Sequence, residues 1–131
     1  MPEYLLVLRD GPNRPQSDDE YQQALDRYLA WNQQMRQEQR FVHCSRLSQT
    51  KGKRMSRQDT IDGAFVEAKE VIAGFYLICA DSMEEASTVA GQCPILLEGG
   101  TVDVFEVHED DRLCQFMRDG YQNGTTKKEI T

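Results

Sequence analysis

No stretch of this 131-residue chain approaches the ~18 consecutive apolar residues of a membrane-spanning helix, so none is predicted. Cysteine is sparse and unordered. Cys44, Cys79, Cys93 and Cys114 show no C-x-x-C or other metal-ligand spacing and are expected to be buried thiols in a reducing compartment. Only two histidines occur, and there is no G-x-S-x-G, P-loop or H-E-x-x-H; Gly91, Gly99 and Gly100 do not form a dinucleotide fingerprint. Covalent serine chemistry, nucleotide hydrolysis and zinc proteolysis are thereby disfavoured, and no cofactor is expected. Positive charge is short too: 15 Lys and Arg against 22 Asp and Glu leave a net charge of -7. A field of that sign repels phosphate backbones and anionic lipid, so direct nucleic-acid and membrane binding are not expected. The basic run Lys51, Lys53, Arg54 and Arg57 lacks interleaved aromatics and reads as a solvated hairpin. The start, Met1-Pro2-Glu3, lacks the basic and apolar regions of a secretory signal, and a cytoplasmic location is expected.

What is present is globular: 39% hydrophobic and 28% charged residues, enough for one core without a metal or disulfide staple. Tyr4-Leu5-Leu6-Val7-Leu8 is apolar on both alternating faces, the mark of an interior strand, and Arg9-Asp10-Gly11-Pro12 turns out of it. Ser17-Asp18-Asp19-Glu20 reads as a capping box opening a long helix, with Tyr21, Ala24, Leu25, Tyr28, Trp31 and Met35 on one face. Arg40 to Leu47 alternates imperfectly, with Phe41, His43 and Ser45 on one side and Val42, Cys44 and Arg46 on the other, as suits an edge strand. Asp62-Gly63 is a turn signal, and Ile72 to Ala80 is a second doubly apolar strand. Ser82-Met83-Glu84-Glu85 opens a second helix, expected to run to Pro94, and Thr101 to Val107 is a last strand.

The order β-α-β-β-α-β predicts an α+β, ferredoxin-like fold with a four-stranded antiparallel sheet whose first and third strands lie in the middle. Two helices cover only one face of such a sheet. Leaving several large apolar side chains wet on the other would cost on the order of 1.5–3 kcal/mol each, so a homodimer packed sheet against sheet is expected. The domain is expected over residues 1–108. For 109–131, a short amphipathic helix around Leu113, Phe116 and Met117 and a fraying tail are expected.

The segment Asp62-Gly63-Ala64-Phe65-Val66-Glu67-Ala68-Lys69-Glu70, followed by Ala73-Gly74-Phe75-Tyr76-Leu77-Ile78, closely resembles the signature of the YCII-related, or DGPF-domain, proteins. Ala64 stands where that signature has proline, and Ala68 where a threonine is common. The resemblance spans about residues 3–108. It implies a ferredoxin-like subunit of the dimeric α/β barrel type, from small bacterial proteins of which some accompany sigma factors. It also implies a histidine with an aspartate at the subunit cleft. The place of that histidine falls near Tyr28, and residues 17–40 contain none, so an activity depending on it does not transfer.

Asp62, Glu67, Lys69 and Glu70 are the candidate catalytic residues. A lysine beside a carboxylate in a partly buried cleft can act as an acid/base pair. The alternative is an ion-pair network that fixes the turn and the dimer. Tyr28, His43 and Phe65 are candidate ligand contacts. His108 with Glu109, Asp110 and Asp111 has metal-binding residue types but reads better as a solvated acidic end, and no metal is expected. Two functions remain open: a dimer acting on a small organic acid or aromatic metabolite by proton transfer, or a ligand-binding or regulatory dimer that contacts a protein such as a sigma factor.

Overall fold

A computed structural model describes residues 2–48, 51–57, 60–62, 71–110 and 112–119. In chain order these form β1 (Glu3–Arg9), α1 (Asp18–Gln37), β2 (Phe41–Arg46), a hairpin of β3 (Lys53–Met55) and β4 (Thr60–Asp62), β5 (Ile72–Cys79) and α2 (Met83–Ala90). A 3-10 helix (Pro94–Glu98), β6 (Thr101–Glu106) and α3 (Arg112–Asp119) follow. The main sheet has the order β2-β5-β1-β6 and is antiparallel throughout. The two doubly apolar strands, β1 and β5, therefore lie in the middle, as their composition predicts.

The expected barrel is not found. The sheet is open: β2 and β6 each pair on one side only among the described residues. Four strands fall well short of the roughly eight that close around a packed interior.

Side chains alternate across β1, so Tyr4, Leu6 and Leu8 are buried while Leu5 and Val7 are only half-buried on the opposite face. The buried set meets Tyr76 and Ile78 of β5, Trp31 and Met35 of α1, and Ala86, Val89 and Ala90 of α2. Burial of each large side chain in this layer contributes about 1.5–3 kcal/mol. The far face carries Phe75, Leu77 and Cys79 half-buried beside an exposed Phe105.

Both helix starts follow their capping residues. The Glu20 amide donates to Ser17 Oγ at 3.2 Å, and the Glu20 carboxylate reaches one residue past the cap to accept from the Gln16 amide at 2.8 Å. The Glu85 amide donates to Ser82 Oγ at 3.1 Å, while its carboxylate turns away to pair with Arg40. α2 ends at Ala90 with Gly91 as its cap, earlier than the sequence predicts, and Pro94 instead opens the 3-10 helix. The residue before a proline disfavours helical backbone, so the chain must leave the helix ahead of Cys93.

The faces of β2 also differ from a plain alternation. Phe41 pairs with Ile78 and His43 with Leu77, so Val42 is an extra residue in the strand. That bulge puts Phe41 and Cys44 together against the core, and His43 with Ser45 on the far face. The Arg36 guanidinium lies 4.5 Å over the Phe41 ring and closes this corner from α1.

Candidate functional site

The first half of α1 does not close fully onto the sheet. Ala24 is buried, yet Tyr21 and Leu25 on the same face are 49% and 40% exposed. They stand over a cavity of about 310 Å³ between α1, the loop after β1, the 3-10 helix and the ends of β1, β2 and β5. Its walls include Leu8, Ala24, Leu25, Tyr28, Tyr76 and Ile95, and its charged residues are Asp10, Arg14, Arg46 and Glu98.

The rim is built by two turns that meet because β1 and β6 are neighbours, with Arg9 paired to Thr101. The Asn13 amide donates to the Glu98 carbonyl at 3.0 Å, which locks the Gly11–Gln16 loop against the end of the 3-10 helix. A Cβ on Gly11 would lie 2.2 Å from the Gly99 carbonyl carbon and 2.3 Å from the Gly100 nitrogen, so only glycine permits this approach. Gly99 closes the 3-10 helix at φ 79°, a left-handed conformation that favours glycine.

These turns bring Asp10, Arg14 and Glu98 to one side of the cavity mouth. Arg14 Nη1 lies 3.9 Å from Asp10 Oδ2. Partial burial raises the Glu98 pKa above the ordinary carboxylate value; the Asp10 charge raises it further, while Arg14 and Arg27 pull it down. On the β2 side, Arg46 Nη1 donates to the Tyr21 hydroxyl at 3.3 Å. Deeper in, burial pushes the Tyr76 hydroxyl up to about 12, with the Asn32 hydrogen bond opposing. Burial also raises the Tyr28 hydroxyl well above its ordinary value, with Cys93 and Glu98 acting in the same direction. Both phenols are thus neutral donors at physiological pH, and the ionisable carboxyl of raised pKa is Glu98.

Of the residues singled out from sequence, Tyr28 lines this cavity. His43 is exposed on the far face, its ring centroid 5.9 Å from that of Phe75 and its Nε2 3.2 Å from Ser45 Oγ. Asp62 ends β4, opposite Lys53 in the separate hairpin. Phe65, Glu67, Lys69 and Glu70 lie outside the described residues, as do Asp111 and residues 120–131. Among the described residues, no group of three or more His, Cys, Asp and Glu is placed to hold a metal ion. None of the four cysteines is in a disulfide among the described residues. No helix among the described residues is long and apolar enough to cross a membrane.

Asp10 and Glu98 were not singled out by sequence, since they are far apart and each belongs to a glycine turn of ordinary appearance. The available signal is topological: adjacent β1 and β6 must bring the turns Asp10-Gly11-Pro12 and Glu98-Gly99-Gly100 together.

The profile of the YCII-related domain matches residues 3–109. The chain belongs to the YCII-related family. No curated protein matches this YCII-related chain. Among solved structures, it is similar to a 5-chloro-2-hydroxyhydroquinone dehydrochlorinase from Burkholderia phenoliruptrix, solved in complex with 2,5-dihydroxybenzoquinone. The two share 15% identity over 81% of this chain and 93% of that one, with a TM-score of 0.49. A likeness that remote transfers neither ligand nor residue role.

Proposed function

We propose that this YCII-related chain binds a small organic ring compound in the cavity under α1, and that Glu98, coupled to Asp10, exchanges a proton with it. The carrying observation is the cavity itself: apolar walls, two neutral phenols inside, and a carboxyl pair with one arginine at the mouth. Small-molecule sites are commonly apolar clefts of roughly 300–1,000 Å³ with a few placed polar groups, and a carboxyl whose pKa is raised holds its proton more readily and can pass it on. The segment holding Glu67, Lys69 and Glu70 leads into Val71, whose carbonyl accepts the Asp10 amide at 3.1 Å. Those three residues enter the proposal as further acid/base groups.

A second copy covers the far sheet face in this reading, supported by half-buried Leu5, Val7, Phe75 and Leu77 and by Phe105 at 53% exposure. Sedimentation at micromolar concentration should give a dimer, and Leu77→Arg a monomer. A role in contacting a protein is favoured by α3, where Leu113 and Met117 are 63% and 59% exposed. The ligand reading is tested by a thermal-shift screen of ring metabolites. A ligand that binds only the native state raises Tm, and Tyr28→Trp, which fills the cavity, should abolish the rise. Equal shifts in both proteins would refute it.

A further inference from the structure

The cavity does not end at its mouth. A second, more polar groove of about 550 Å³ runs on between the Pro12–Gln16 loop and the outer side of α1. The two hollows share Arg14, Pro15, Ala24 and Glu98, so they meet at the carboxyl described above. Their linings differ in kind. Past Glu98 the walls are mostly polar, with Asn13, Gln16, Glu20, Gln23 and Arg27 beside Leu97, in place of the aromatic residues inside.

Charge is arranged along the same axis. Of the carboxylates bordering the groove, Glu20 accepts the Gln16 amide at 2.8 Å, and nearby Asp10 is paired with Arg14. Arg27 is exposed on α1, lines only the outer groove, and makes no salt bridge among the described residues. An anion pushed into the inner cavity would lose water against apolar walls and meet the Asp10 and Glu98 carboxyls on its way. An anion left in the groove stays solvated between two guanidiniums, and guanidinium–carboxylate contacts are the stronger hydrogen bonds.

We infer that cavity and groove form one bipartite site for an amphiphilic organic acid, its ring against Tyr28 and Tyr76 and its carboxylate outside, between Arg14 and Arg27. Glu98 then faces the atoms that join ring to carboxylate, which is where proton transfer would act. The inference rests on the inner cavity being a ligand site and adds the class of ligand.

Isothermal titration of the full chain with 3-phenylpropanoate and its neutral isostere 3-phenylpropanamide separates the two. The acid is expected to bind roughly tenfold more tightly than the amide, the scale of one charge-assisted hydrogen bond. Arg27→Gln should erase that preference, and Arg27→Lys should restore part of it. Equal binding of acid and amide by the unaltered chain overturns the bipartite site and leaves the inner cavity standing. A preference that survives in Arg27→Gln also overturns it. Binding of neither probe at millimolar concentration overturns both readings.

Discussion

Asn32 ties α1 to the sheet behind the cavity: its side-chain amide donates to the Tyr76 hydroxyl at 2.8 Å and to the Tyr28 carbonyl at 2.7 Å. Tyr76 in turn lies against Trp31, ring centroids 4.7 Å apart, and Trp31 Nε1 donates to the Val89 carbonyl at 3.2 Å. The cavity therefore has a rigid back and an open front. Tyr76→Phe keeps the packing but orphans one amide proton of Asn32. Urea denaturation should show a loss of about 1 kcal/mol.

Gly11→Ala should be far more damaging than an ordinary loop substitution. The new Cβ meets backbone of Glu98, Gly99 and Gly100 between 2.2 and 2.4 Å, and backbone cannot swing aside as a side chain can. A loss of about 2–3 kcal/mol is expected from overpacking at such a contact, with cavity binding weakened because the rim shifts. Alanine at Gly91, whose nearest atoms begin at 3.4 Å, is the control and should be mild.

Glu98 carries a pH signature whose sign is fixed. Its folded pKa lies above the unfolded one, so the folded protein binds the proton more tightly and the ionised carboxylate is the unfavourable form. Glu98→Gln should thus stabilise the protein at neutral pH. The gain should shrink as pH falls through the raised value and vanish below the ordinary carboxylate range. Thermal melts of both proteins across pH 3.5 to 8 are the check; a gain that persists at the acid end contradicts the assignment.

Cys93 should be inert in the native protein. Its thiol is 2% exposed and burial holds its pKa at about 11, against a weaker opposing contribution from its hydrogen bonds. Cys114 is exposed, and Cys44 and Cys79 are half-buried. Ellman's reagent at pH 8 should label Cys114 fast, Cys44 and Cys79 slowly, and Cys93 only on unfolding.

The centre of the sheet was legible because β1 and β5 are apolar on both faces, and a four-stranded ferredoxin-like order leaves them no other place. The helix starts were legible from Ser17 and Ser82. The β2 bulge was not, because a two-residue alternation cannot reveal that Val42 is extra and that Phe41 and Cys44 share a face. Nor was the cavity: spacing places Tyr21 and Leu25 on the inner side of α1, but periodicity carries no information on how closely a helix sits. The closing of the sheet was expected from family likeness rather than from strand count, and an open sheet of four strands among the described residues sets it aside.

The most direct test is amide NMR of the isotope-labelled chain titrated with 3-phenylpropanoate. Shift changes should cluster at Ala24, Leu25, Tyr28, Gly74 and Tyr76, around the cavity, and be absent in Tyr28→Trp. Changes confined to Leu5, Val7, Leu77 and Phe105 on the far face, or none at saturating ligand, would contradict a binding site beneath α1.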